Sequence, residues 1–393
     1  MKIEVITHPS GDQLPILVDD NGLPIPTPNE FIIGRRNLST NTLIRNLREL
    51  SVFYSWLLHE KVDLWKRIKT GQSFSEAEIR RSMIEALRRD QNTDRKISRI
   101  TISPYTFNQR LTTVRQFLSW CFGMHLSSLP LSDQSYDRIR EQQKRLLKWL
   151  DSSFLNAPPS NKGKNKGLTD KQASFLIHCL NPDNSEAIGR NPAVRFRNYI
   201  SIMIMLYYGL KPGELLSLRV EDIEIGAISS IRIVRRPPDR QDTRKPRPQI
   251  KRNGRVMPID DSLFAKRLDE YIMNWRDILE SDSTNSTEYL ILSDEGNPLT
   301  QSALTQFYQH LRNKFPEQLP SHFSAKALRH TFSSMMERIL RSAELNQDRR
   351  KQALALLRGD SSLNSQSVYI AQEIEEQASQ ALKHFQSMLL AYR

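Results

Sequence analysis

Cysteine is nearly absent: Cys121 and Cys179 are the only two in the chain. Neither sits at a paired spacing, which excludes a disulfide framework and a Cys-rich zinc site and fits a reducing compartment. The eight histidines form no His-x-x-x-His pair, so no metal site is expected. Residues 199–210 form an apolar run too short to span a bilayer, and the opening Met-Lys-Ile-Glu-Val lacks the apolar core of a signal peptide. A cytoplasmic protein is expected. There is no Gly-rich phosphate loop, which argues against ATP use, and no neighbouring Ser-His or Cys-His arrangement of a hydrolase. No internal repeat occurs.

Acid is also in short supply. Fifty-seven Lys and Arg face 44 Asp and Glu, a formal net charge of +13. A surplus of this size suggests a polyanionic partner, most simply nucleic acid. The surplus is clustered, because residues 232–255 hold ten Arg or Lys against Asp239 and Asp242 alone. Arg235, Arg236, Arg244 and Lys245 in this stretch are the candidate contacts to a nucleic-acid backbone.

The 393 residues are enough for two or three domains. Residues 1–35 read as a β and turn extension, with alternation in Ile3-Glu4-Val5-Ile6 and a strong turn signal at Asp19-Asp20-Asn21-Gly22. Residues 36–155 read as helical. Leu43, Leu47, Leu50, Tyr54 and Leu57 recur at helical spacing, and Val114, Phe117, Leu118 and Cys121 share one face of a helix opening after Ser103-Pro104. A third helix over 136–150 is rich in Arg and Lys, most of which read as a solvated face. Residues 156–167 are a Pro, Gly and Lys linker in which Lys162, Lys164 and Lys166 can follow a phosphate backbone or simply keep the tether soluble.

A new domain is expected over 168–393. Thr169 to Gln172 forms a capping-box pattern, 194–208 is apolar nearly all round, Gly209 ends that helix, and Pro212 fits the first position of the next. Strands are expected over 228–234 and 255–259, joined by the basic loop. Phe264, Leu268, Ile272, Trp275 and Leu279 mark one more amphipathic helix, and Leu382, Phe385 and Leu389 share a face of the last. The fold class is therefore mostly α with a small β-sheet.

Three motifs lie on this frame. Gly209-Leu210-Lys211-Pro212-Gly213-Glu214-Leu215 turns between helices. Lys326-Ala327-Leu328-Arg329-His330-Thr331-Phe332 opens an apolar-periodic helix, where free backbone N–H groups and Arg329 together favour an anion. Leu356-Leu357-Arg358-Gly359-Asp360-Ser361-Ser362-Leu363 ends a short helix, and Tyr369 follows nine residues after Asp360. Each alone can be an ordinary helical corner, and an aromatic such as Tyr369 can be core. Together they resemble the tyrosine recombinase (phage integrase) family. That family carries Gly-Leu-Arg-x-x-Glu-Leu, then His-x-x-Arg-His, then Leu-Gly-His-Ser-Ser, then a nucleophilic Tyr nine residues past the last His. The resemblance covers 168–393. For the preceding helices it is one of shape and order, that of a core-binding domain.

The resemblance implies that Tyr369 is the nucleophile, that Arg329 binds phosphate, that Glu214 supports the site without reacting, and that His330 is structural. It also implies a hairpin lysine that protonates the leaving 5′-oxygen, for which Lys251 is the choice and Lys245 the fallback. Three positions depart from the pattern: Lys211 replaces Arg, Lys326 replaces His, and Asp360 replaces His. Lysine offers one compact charge where Arg offers a bidentate fork. An ordinary lysine at 326 is a poor proton shuttle near neutral pH, and His322, one turn upstream, is the group that can intrude. A carboxylate at 360 repels a phosphate unless a cation pairs with it, and Lys211 and Lys326 are the candidates. The implied activity is site-specific cutting and rejoining of double-stranded DNA by a homotetramer, as the integrase of a mobile element acting at a bacterial nucleoid, without metal or nucleotide cofactor. The alternative is a DNA-binding protein that kept the fold while its site drifted.

Overall fold

A computed structural model describes residues 1–72, 74–90, 101–157, 167–184, 188–250, 254–281, 286–360 and 368–390, with side chains from 374 onward in the last segment. The chain divides into two compact units, Met1–Ser160 and Asn161–Arg393. The division falls within the stretch read as a linker, most of which lies outside the described residues.

The first unit opens with an antiparallel hairpin of β1 (Lys2–Thr7) and β2 (Gln13–Val18), in which Lys2 pairs with Val18 and Thr7 with Gln13. Helix α1 (Pro26–Ile33) follows, started by a proline whose fixed φ suits the first helical turn. Residues 1–35 thus contain a helix as well as the expected strands. Leu17 and Ile32 are fully buried in the same core as α2 (Thr40–His59), so the segment is a part of this unit's core. Then come α3 (Leu64–Thr70), a π-helical turn at Glu78–Met83 running into α4 (Ile84–Arg88), α5 (Pro104–Ser128) and α6 (Tyr136–Asp151). Ser103 caps α5 by accepting from the Thr106 N–H at 3.2 Å. Leu47, Leu50 and Phe53 of α2 meet Leu111, Val114 and Phe117 of α5, all fully buried. Each such side chain contributes roughly 1.5–3 kcal/mol on burial.

The second unit starts with α7 (Asp170–Leu180), closed by the Thr169–Gln172 capping box that its sequence predicts. Helix α8 (Pro192–Tyr208) is the centre of the core: Ile200 and the run from Met203 to Tyr208 are fully buried. Gly209 stops it with φ +58°, and a Cβ there would meet the Phe332 ring at 2.3 Å, so the turn requires glycine twice over. After α9 (Pro212–Leu215) a three-stranded antiparallel sheet forms in the order β3 (Ile223–Glu224), β4 (Ser230–Ile233), β5 (Arg255–Pro258). Helix α10 (Ser262–Glu270) passes through a π-helical turn at Tyr271–Trp275 into α11 (Arg276–Ser281). Helices α12 (Gln301–Lys314), α13 (Ala325–Ser342), α14 (Gln347–Leu357) and α15 (Val368–Leu390) complete the unit. Helix α15 buries Leu382, Phe385 and Leu389 in the core. Phe385 meets Phe332 edge-on at 5.6 Å, and the Gln386 amide accepts from the Asp260 N–H and donates to the Pro258 carbonyl. That amide joins the last helix to the end of β5.

Candidate functional site: a cationic pocket closed by a carboxylate

Three turns deliver the site. Helix α14 ends in a Schellman closure: the Gly359 N–H donates to Leu356 O at 2.9 Å and the Asp360 N–H to Ala355 O at 2.8 Å. Gly359 takes φ +60°, and a Cβ on it would lie 2.4 Å from an Arg255 nitrogen. The turn therefore fixes where the Asp360 carboxylate emerges. Arg329 rises from α13 to meet it. Its Nη1 donates to Gly209 O at 2.6 Å, and its Nη2 donates to Arg358 O at 3.1 Å. Both acceptors lie at helix C-termini, where carbonyl oxygens lack intrahelical donors and favour a cation. The same Nη2 reaches both Asp360 oxygens, at 3.1 and 3.2 Å.

Lys211 precedes α9. Its backbone N–H donates to Glu214 Oε2 at 2.9 Å, and its Nζ donates to Asp360 Oδ1 at 3.1 Å. Arg358 Nη2 lies 3.1 Å from Asp360 Oδ2. Glu214 is buried and receives both terminal nitrogens of Arg255, at 3.2 and 3.3 Å. Among the described residues Asp360 thus gathers three cations, while Glu214 pairs with Arg255.

The electrostatics follow from that gathering. Burial alone would raise the Asp360 carboxyl; the Lys211 hydrogen bond and the charges of Arg329, Arg358 and Lys211 outweigh it and hold the group below its usual value. Arg329 is lowered by burial and by Arg358, with Asp360 and Glu214 opposing. His330 is lowered by burial and then by Lys326, Arg358, Arg329 and His322. The ring is half-buried next to Arg329.

Of the two candidate partners for Asp360, Lys211 is the one in contact. Lys326 is exposed on the first turn of α13 and makes no ion pair among the described residues. His322 is also exposed. Arg329 lies one turn inside α13, which begins at Ala325, so its guanidinium fork and the two helix C-termini shape the anion site, and the free N–H groups of the helix start do not. Lys251, Lys162, Lys164 and Lys166 lie outside the described residues, as does the side chain of Tyr369, the second residue of α15.

The basic loop after β4 needs a correction. Arg244 is only 5% exposed. Its guanidinium pairs with Asp242, donates to the carbonyls of Leu216 and Leu299 at 2.8 and 3.0 Å, and lies over the Tyr289 ring. A side chain held in this way cannot reach a backbone phosphate. Arg236 is engaged as well, by Asp222 and Glu221. Arg235 and Lys245 are exposed.

Sequence reasoning missed Arg358 and Arg255. The signal for Arg255 was present in principle: a glutamate at a buried turn such as Glu214 needs a cation. The signal for Arg358 was local, because it stands two residues before Asp360 on the turn that Gly359 closes.

Comparisons place the domain. Residues 168–343 match the model of the Phage integrase family. The match includes Lys211, Glu214, Lys326, Arg329 and His330 and ends before Arg358, Asp360 and Tyr369. A comparison with curated proteins finds no match. Among solved structures, the Tn1549 transposon integrase (its residues 82–397) in complex with circular intermediate DNA is 17% identical, with a TM-score of 0.40 over 69% of this chain and 78% of that one. The XerH site-specific recombinase bound to palindromic difH substrate is 14% identical, with a TM-score of 0.39 over 83% and 91%. A lambda integrase dimer bound to a COC′ core site is 12% identical, with a TM-score of 0.36 over 95% and 94%.

Proposed function

We propose that the protein is a tyrosine-type DNA strand transferase, the recombinase of a mobile element. One observation carries the reading: Arg329 and Lys211, inside the stretch that matches the Phage integrase family, and Arg358, beyond it, converge on a single anionic position at 3.1–3.2 Å. A phosphodiester presents two oxygens much as a carboxylate does, and guanidinium forks bind both kinds of group. In the proposed reaction the Tyr369 hydroxyl oxygen attacks the scissile phosphorus and its proton passes to water. The bond to the 5′-oxygen breaks, and that oxygen takes a proton from a hairpin lysine, Lys251 or Lys245. A 3′-phosphotyrosine forms. The 5′-hydroxyl of a partner strand then attacks it and releases the tyrosine, so the bond energy is kept throughout. The cationic pocket stabilises charge on the non-bridging oxygens in each step. Four protomers acting on two duplexes complete an exchange.

A second reading has its own observation. Asp360 already occupies the arginine's two-oxygen position, as it would in a DNA-binding protein that no longer cleaves. A denaturing gel of protein with labelled, nicked duplex separates the two. We expect a covalent band with the original chain and none with Tyr369→Phe, with folding and duplex binding retained. A band that persists in the Phe variant removes Tyr369 as nucleophile, and a band absent from both with binding intact leaves the second reading.

A further inference from the structure

Arg358 has hydrogen-bonding capacity to spare at the centre of the site. It follows the last turn of α14, its main-chain oxygen accepts from Arg329, and its Nη2 meets Asp360. Its Nε is buried and has no acceptor among the described residues. Its side chain remains 32% exposed, beside Lys211 at 36% and Asp360 at 27%, while Arg329 behind them is 11% exposed. An anion arriving from solvent therefore meets Lys211 and Arg358 first and Arg329 last.

Charge balance gives the reason for a third cation. The residue types that the family resemblance gives positions 211, 329 and 360 are Arg, Arg and His, which carry a surplus of two when the imidazole is uncharged. Here Asp360 removes one positive charge, and Arg358 restores it: Lys211, Arg329 and Arg358 against one carboxylate again leave a surplus of two. Asp360 does not need Arg358 for its own neutralisation, because Lys211 and Arg329 already bond it. The fork geometry matters too. Lys211 supplies a single point charge where the family pattern has a guanidinium, and Arg358 supplies a guanidinium at the other Asp360 oxygen.

We propose that Arg358 is the second phosphate-binding guanidinium of this site, in place of the arginine that Lys211 replaces. The proposal rests on the strand-transfer reading for its substrate, a DNA phosphodiester. Its anion-binding half is measurable without any cleavage.

The test uses the full chain with Arg358→Met, Arg358→Lys, and Arg358→Met combined with Lys211→Arg. The first readout is the rise in Tm with inorganic phosphate at constant ionic strength. We expect a phosphate-dependent rise in the original, a smaller one in Arg358→Lys, and none in Arg358→Met. The second readout is adduct formation on nicked duplex. We expect about 10²–10³-fold slower formation in Arg358→Met, on the scale of losing one preorganised donor, with duplex affinity nearly unchanged. Lys211→Arg in the same chain should recover at least about tenfold of that loss. An equal phosphate response in Arg358→Met and the original overturns the proposal, and so does a lowered Tm with unchanged phosphate response, which marks Arg358 as structural. If the original forms no adduct, the strand-transfer reading fails, and the phosphate series alone decides Arg358.

Discussion

Two groups of arginines in the second unit are built from the same residue types and come to opposite ends. Around Asp242, Arg244 is enclosed by its own carboxylate, two carbonyls and an aromatic ring. Nearby, Arg219 is matched by Asp239 and Glu288, and Arg236 by Asp222 and Glu221. Each cation there has a carboxylate of its own, and burial pushes the Tyr289 hydroxyl up to about 12. Around Asp360, three cations share one carboxylate and two of them face solvent. The first group is a closed network that holds the loop after β4 to the helices. The second keeps a positive surplus that is partly open to solvent. Counting arginines along a sequence cannot separate the two, because the difference lies in how many acids each cluster encloses.

The largest effect should come from opening the closed network. Arg244→Ala leaves Asp242, itself 4% exposed, as a buried carboxylate without its guanidinium. Removing one partner of such a pair costs about 3–5 kcal/mol, so chemical denaturation should show a loss on that scale. The salt dependence of duplex binding should not change. A stable Arg244→Ala protein with a flatter salt slope would place Arg244 on the DNA instead, and the contrast between the clusters would collapse.

A smaller effect sharpens the same contrast from the exposed side. Arg235→Glu with Lys245→Glu changes charges that project from the loop without touching the network. Folding stability should stay within roughly 0.5 kcal/mol, as for most surface changes. The slope of log K against log salt should fall by about 0.9 for each phosphate that the loop no longer neutralises. An unchanged slope in a duplex titration removes this loop from the interface.

The smallest effect concerns pH. The folded Asp360 carboxyl is held below its unfolded value of about 3.9. Its contribution to stability is therefore fully present above that value and is lost as pH falls through the lower, folded one. Below about pH 4 the original should lose stability more steeply than Asp360→Asn, which has nothing to protonate at this site. Parallel acid-unfolding curves for the two proteins would mean that Asp360 is not held by Lys211, Arg329 and Arg358 in solution.

Much of the fold was written in short-range signals. The Thr169–Gln172 capping box, the stop at Gly209, the proline start at Pro212, the turn at Gly359 and the helical stripes of α2, α5, α10 and α15 each depend on residues within a turn or two of one another. Backbone hydrogen-bond capacity and φ preference are local properties, so the sequence declares them directly. Helix α1, the strand β3 and the helices α3 and α4 are short, and packing against a core built from distant residues is what stabilises them.

At the site, the sequence leads to the expectation that Arg329 faces an anion and that a carboxylate at 360 requires a cation. Tertiary structure decided which cation that is. Lys211, Arg329 and Arg358 come from three separate turns, and only the packing of α8, α13 and α14 brings them within 3.2 Å of one carboxylate. The same packing turned Arg244 inward and left Lys326 on the surface. Whether a charged side chain binds its own protein or remains available depends on which acids and carbonyls surround it. Those neighbours are set by the fold: Arg329 and Lys211 reach Asp360 across separations of 31 and 149 residues.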